Sequence, residues 1–401
     1  MSMTITGEWM IANETRVVLN ALRKGGALPR FVGGCVRDAL IGRTVRDIDI
    51  AVDIPPKETI AALEAADLRA IPTGIEHGTI TAVSGKRTFE ITSLRQDRET
   101  DGRHATVEFT KDWKLDASRR DFTMNALYAE GDGTVVDVLG TGLGDLNARR
   151  VRFIGSASAR VQEDYLRILR LFRFHAWYGT GDMEPDALVA CAGLAGGLAG
   201  LSRERIGSEM LKLLAAPHPE VAVDMMAQTG VLSKALPFSE GIPPMAALVA
   251  AEGRIGISAE PVRRLALLTG ETDAVTAGRA LRLSNDQVKA LRARGPLGYE
   301  ITDAASARRA GYERGEAAAR DLLLLRSART GEPLNTRLVS TIMDGAATEF
   351  PVAARDLMAL GMEPGPEIGE TLDRIEKEWI ESDFTLDRGT LLSGIQGRKS
   401  A

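Results

Sequence analysis

Along the first part of the chain, short apolar runs alternate with turn residues; beyond it, apolar positions recur every three or four residues. The runs RFVGG, DIDIAV, GTITAV, FEITSL and TVVDVL have the strand pattern and, with two helical stretches among them, predict a mixed α/β unit up to about Asn147. After that, strand signals nearly vanish. Val161 to Trp177 and Arg203 to Ala216 carry helical spacing; in the second, Ile206, Met210, Leu213 and Leu214 line one helix face. Near the C-terminus, Pro364-Gly365-Pro366 breaks the chain before a helix in which Ile368, Leu372, Ile375 and Trp379 keep the same rhythm. The expected class is α+β, a mixed unit followed by an all-helical remainder.

Length sharpens this picture, since 401 residues, 44% of them hydrophobic and 26% charged, can bury a large core and divide into two or three domains. The longest stretch free of charge, Ala187 to Ser202, is 16 residues and Gly-rich, short for a membrane span. The N-terminal MSMTITGEWM lacks a basic start and an apolar segment, so a cytoplasmic protein is expected. Two cysteines, Cys35 and Cys191, exclude a disulfide framework and a cysteine-based zinc site, and read as buried thiols. A net charge of -5 speaks against nucleic acid as a partner, but between Ala148 and His175 seven arginines face only Glu163 and Asp164. A local basic stripe lies within an acidic chain.

Four stretches carry candidate chemistry. In RDIDIAV, strand alternation puts Asp47, Asp49 and Ala51 on one face, and two adjacent carboxylates repel unless a cation sits between them. Just upstream, FVGGCVRDAL runs from a strand through Gly33-Gly34 into a helix, a turn that lets backbone N–H groups approach an anion, with Arg37 beside it. Alone, each has a bland reading: a tight turn and a solvent-facing strand pair. Together they offer a triphosphate grip beside a Mg²⁺ site, with Glu90 of FEITSL as a third carboxylate from a neighbouring strand. In RRDFTMNALY, Asp121 and Asn125 lie four apart and suit a ribose hydroxyl, with Arg119 and Arg120 able to reach phosphates; the simpler alternative makes Asp121 a helix N-cap. In VQEDYLRILRLFRF, an unbroken helix would gather Glu163, Asp164, Arg167 and Arg170 within an arc of roughly 120°, at about 100° per residue. Such a face can read a base edge, or can be a salt-bridge lattice.

In this order, the stretches resemble the class II tRNA nucleotidyltransferase/poly(A) polymerase family of the polymerase-β nucleotidyltransferase superfamily. GGCVRD with DIDIAV resembles its motif A, RRDFTMNALY its motif B, Asp137 through Asp145-Leu146 its motif C, EDYLR its motif D and LSRERIGSEMLKLL its motif E. The resemblance implies a nucleotidyltransferase head over 1–147, a helical neck with the base-recognition helix over 148–216, and an RNA-binding body and tail over 217–401. It implies catalytic Mg²⁺ on Asp47 and Asp49, ribose reading by Asp121 and its neighbours, and base templating by Asp164 and Arg167. The expected reaction is template-independent addition of C and A from CTP and ATP to the tRNA 3′ end. The alternative is poly(A) polymerisation, disfavoured because the chain is acidic without strongly basic extensions. The polar loop from Arg95 to His104 has no large apolar side chain to anchor it and is expected to be mobile; since TDGRHATVEFTKDW resembles the flexible loop and following strand of CCA-adding members, the resemblance implies that this loop helps the switch from C to A addition. None of the four histidines precedes an aspartate, so an appended His-Asp phosphohydrolase is not expected. No protein partner is evident from sequence.

Overall fold

A computed structural model describes residues 3–98, 106–239, 242–270, 272–295 and 301–399. The chain divides into two compact units, residues 1–201 with 229–231, and residues 202–228 with 232–401.

Among its described residues the first unit holds nine strands: β1 Arg30–Val32, β2 Ile48–Val52, β3 Arg69–Gly74, β4 Thr79–Ser84, β5 Arg87–Ser93, β6 Arg95–Arg98, β7 Thr106–Phe109, β8 Tyr128–Ala129 and β9 Val135–Val136. Seven form one sheet in the order β3-β4-β5-β2-β1-β8-β9. Every pairing is antiparallel except β2 with β5. Alternation decides what β2 does. Ile48, Ile50 and Val52 are buried on one face, while Ala51 on the other packs with Val32, Leu94, Ala117, Ala126 and Tyr128. Asp49 shares that second face, so its carboxylate stands at the rim of an apolar floor.

The five strand-like runs all contribute strands, although TVVDVL supplies only Val135–Val136. Three expectations need correction. Strand β2 begins at Ile48, so Asp47 sits in the bend before it. RRDFTMNALY is not a helix: Phe122 is extended and bridges Phe153, Thr123–Asn125 form one 3-10 turn, and Tyr128 opens β8. The helix expected from Val161 to Trp177 is two, Ala157–Glu163 and Leu166–Tyr178, separated by an extended Asp164. Within the polar segment from Arg95 to His104, Arg95–Arg98 form β6, paired with β7. Its remainder, 99–104, lies outside the described residues.

The second unit is helical throughout its described residues. Helix Arg203–Leu214 buries Ile206, Met210, Leu213 and Leu214, and helix Pro366–Glu381 buries Ile368, Ile375 and Trp379, as the periodicity predicts. A buried ion network ties this unit together. Glu252 accepts from Arg263 at 2.8 Å and Arg264 at 2.6 Å, and Asp321 accepts from Arg263 at 2.9 Å and Arg294 at 2.7 Å. Arg264 also donates to the carbonyls of Leu214 and Ala216, covering the end of helix Arg203–Leu214. No helix among the described residues is long and apolar enough to cross a membrane.

Candidate active site

The glycine turn comes first in the chain and sets the rest. Gly33 has φ 70° and ψ -120°, a conformation that a side chain disfavours, and its N–H donates to the Leu127 carbonyl at 3.0 Å. That bond ties the turn to the chain entering β8. Gly34 starts helix Gly34–Leu40, whose Cys35 is packed inward; burial pushes its thiol up to about 12, as a packing role requires.

Beside the turn, the parallel register of β2 and β5 places Asp49 directly opposite Glu90. Asp47 lies two residues upstream and is exposed. Burial, reinforced by the charges of Glu90 and Asp47 and only partly offset by Arg120 and Arg37, pushes the Asp49 carboxyl up to about 6. Asp49 is thus half-enclosed between two carboxylates and two guanidiniums. Glu90, expected from a neighbouring strand, stands opposite Asp49 across the sheet, with Asp47 in the bend before β2.

Arg120 is positioned by Asp116, a residue that sequence reasoning missed. The Asp116 side chain is 1% exposed and accepts from Arg119 at 2.7 Å, from Arg120 at 3.0 Å and from the Tyr128 hydroxyl at 2.8 Å. Burial raises its pKa, but the Arg120 and Arg119 charges and the Tyr128 hydrogen bond outweigh this and hold it down to about 2. With Nε and Nη2 donating to Asp116, Arg120 keeps Nη1 against the turn, 3.6 Å from where a Cβ on Gly33 would stand. The i,i+3 and i,i+4 spacing of Asp116 from Arg119 and Arg120 is the signal that could have found it.

Arg37 behaves differently from Arg120. It is buried, and all three guanidinium nitrogens are engaged inside the fold: Nε to Asp38 at 2.9 Å, Nη1 to Asn125 Oδ1 at 2.6 Å and Nη2 to the Tyr178 hydroxyl at 2.6 Å. Asn125 in turn donates through Nδ2 to Asp121 Oδ1 at 2.9 Å, so these two side chains meet although no helix carries them. Asp121 Oδ1 also accepts from the Phe122 N–H at 2.8 Å, and Oδ2 from Arg170 Nε at 2.8 Å. Burial opposes ionisation of Asp121, yet Arg170, with the bonds from Asn125 and the Phe122 N–H, holds its pKa below the ordinary value. A chain of bonds therefore runs Tyr178, Arg37, Asn125, Asp121, Arg170. Tyr178 was also missed by sequence reasoning, and its 141-residue separation from Arg37 left no local signal.

The expected helix face of Glu163, Asp164, Arg167 and Arg170 does not form, because the helix ends at Glu163. Asp164 Oδ1 instead accepts the Leu166 N–H at 3.0 Å, a local turn just before the restart. Arg167 pairs with Glu163, donates to the Arg160 carbonyl at 3.1 Å and reaches the Arg119 carbonyl at 3.3 Å. Asp164 and Arg167 stay neighbours through the break, since the Arg167 N–H donates to the Asp164 carbonyl at 2.9 Å. Another buried carboxylate, Asp145, accepts from the Thr123 hydroxyl at 2.6 Å and from Arg150 and Arg152 at 2.8 Å each, anchoring the 3-10 turn that holds Asn125.

Comparison with known proteins finds relatives along most of the chain. Residues 29–152 match the family model described as the poly A polymerase head domain, and residues 182–241 match the probable RNA- and SrmB-binding site of polymerase A. The chain is 37% identical over 396 residues to the human protein named CCA tRNA nucleotidyltransferase 1, mitochondrial, covering 92% of this chain and 86% of that one. It is 29% identical to the CCA-adding enzyme of Limosilactobacillus fermentum, with 94% of each chain covered. The crystal structure of the Bacillus stearothermophilus CCA-adding enzyme in complex with CTP superposes with a TM-score of 0.72 at 27% identity, covering 96% of this chain and 98% of that one. The chain belongs to the class II CCA-adding enzyme family of tRNA nucleotidyltransferases.

Proposed function

We propose that this enzyme adds C and A from CTP and ATP to the 3′ end of tRNA, releasing pyrophosphate at each addition. The carrying observation is the in-register Asp49 and Glu90 with Asp47 nearby, set against the Gly33 turn and Arg120. The substrates follow from relatives named for CCA addition, one of them solved with CTP. The poly(A) alternative has behind it only the names of the matched models, which describe parts of the chain.

Mg²⁺ is the proposed cofactor, held by Asp47 and Asp49 with Glu90 as a third carboxylate. The donors fit a hard divalent cation, because the oxygens around Asp49 lack a full counter-charge. Bound there, the ion supplies Lewis acidity to the phosphoryl group and the attacking hydroxyl. The Gly33-Gly34 turn and Arg120 receive the triphosphate, while Arg37 acts from inside the fold by holding Asn125. Arg170 keeps Asp121 ionised, and because Asp121 already accepts from Asn125, from the Phe122 N–H and twice from Arg170, reading a ribose hydroxyl means exchanging one of these bonds for it. Asp164 and Arg167 select the base, the carboxylate accepting from the amine of cytosine or adenine and the guanidinium donating to adjoining acceptors. For Arg167 this means exchanging Glu163 for the base. In domain terms, we keep a head over 1–147, a neck over 148–216 and an RNA-binding body and tail over 217–401. Two buried thiols suit a reducing compartment, and we propose the cytoplasm. The human, zebrafish and mouse relatives are named mitochondrial, so fractionation of the tagged protein decides between the two compartments.

The test is incubation of the purified protein with tRNA lacking its 3′ end, with CTP and ATP singly and together, followed by product sequencing. Two C additions from CTP and a completing A only when both nucleotides are present support the reading. A long A tail from ATP alone would establish the poly(A) alternative.

A further inference from the structure

From Val161 to Trp177 the sequence contains neither proline nor glycine, yet the helix stops at Glu163 and restarts at Leu166. Sharp helix breaks nearly always trace to Pro, Gly/Ser pairs or an inserted group, so this one needs a holder outside its own stretch. Local bonds close the break once it exists: Leu166 N–H to Asp164 Oδ1, and Arg167 Nη1 to the Arg160 carbonyl. Tyr165, between them, points elsewhere. Its ring lies on the backbone of Gly197, in the 3-10 segment Ala195–Gly200. A Cβ on Gly197 would fall 2.1 Å from Tyr165 Cδ1, 2.2 Å from Cε1 and 2.4 Å from Cγ. Gly197 is absent from the positive-φ glycines, so its backbone conformation tolerates alanine and only the ring excludes one. Because Cγ itself collides, turning the ring about χ2 brings no relief; χ1 or the backbone of Tyr165 must move.

We propose that Gly197 is a positioning residue for base selection: by leaving room for the Tyr165 ring, it pins the break that takes Asp164 out of helical register beside Arg167. This rests on the reading of Asp164 and Arg167 as the base-selecting pair. Gly197 touches no substrate and acts through Tyr165.

Affinities for CTP and UTP, measured by titration calorimetry without RNA, test the proposal in wild type, Gly197→Ala, Tyr165→Ala and the double variant. Wild type is expected to prefer CTP. Gly197→Ala should lower that preference about tenfold, the scale of one lost hydrogen bond to a base edge. Tyr165→Ala should lower it similarly, and the double variant should be no worse than Tyr165→Ala, since no ring remains to displace. A Gly197→Ala protein that keeps the wild-type ratio overturns the proposal, as does a glycine effect undiminished in the Tyr165→Ala background. Should Gly197→Ala fail to fold, a folded double variant with the ratio of Tyr165→Ala supports the steric account, and an unfolded one overturns it. A wild type that binds CTP and UTP equally overturns the base-selection reading itself, and this inference with it.

Discussion

Replacing Asp116 by Asn keeps the side chain's shape and removes the charge that two guanidiniums share. The carboxyl falls from an ordinary 3.8 to about 2 in the folded protein. A drop of nearly two units, at ~1.4 kcal/mol each, contributes about 2 kcal/mol to stability. Because the folded pKa is the lower one, this contribution is complete above the unfolded value and fades as pH falls through about 2. The variant also strands Arg119 and Arg120, and removing one partner of a buried pair costs about 3–5 kcal/mol. Urea unfolding can be followed by tryptophan fluorescence, to which Trp113 reports locally, its ring edge-on to Tyr128 with centroids 5.1 Å apart. Asp116→Asn should lower stability at pH 7 by at least about 2 kcal/mol, and the gap from wild type should shrink by about 1 kcal/mol at pH 3. Turnover should fall as well, since Arg120 loses the partner that aims it at the Gly33 turn. A gap of equal size at both pH values would refute the charge argument and leave Asp116 as a shape-filling residue.

Asp47→Ala and Asp49→Ala should each abolish nucleotide addition while leaving tRNA affinity within about twofold in a filter-binding assay, since their proposed partner is a metal rather than the fold; near-normal turnover in both would remove them from the proposed metal site. Asp121→Ala should narrow the preference for CTP over dCTP by roughly tenfold, one stranded hydrogen bond costing about 1–3 kcal/mol; an unchanged ratio of kcat/KM values would leave Asp121 as the anchor of Arg170 alone. Arg167→Ala should lower kcat/KM for CTP and ATP and let UTP and GTP compete better by about tenfold or more. A variant that loses stability but keeps the wild-type ranking of the four nucleotides would make the Arg167–Glu163 pair a structural lattice.

What sequence could show here depended on the range of the interaction. Periodicity located the helices Arg203–Leu214 and Pro366–Glu381, because an amphipathic face repeats within a few residues of itself. Alternation gave β2 its two faces for the same reason, but the opposition of Asp49 and Glu90 belongs to a strand pairing across 41 positions and needed the sheet. The two failures have one cause. RRDFTMNALY and VQEDYLRILRLFRF both have helical spacing, yet each gives way to contacts from distant parts of the chain: Phe122 bridges Phe153, Thr123 binds Asp145, and Tyr165 rests on Gly197. Both failures fall at the proposed ribose- and base-reading residues, where tertiary contacts override local preference and hold polar groups away from a regular helix. Motif resemblance identifies such residues without showing which are free to act. Arg37 and Arg120 flank the same turn, but the bonds of Arg37 to Asn125 and Tyr178 turn it inward. Arg120, held from behind by Asp116, is the one left facing Gly33. Of the two arginines expected at the phosphates, Arg120 is therefore the one we propose for that role, supported by a carboxylate that no motif had singled out.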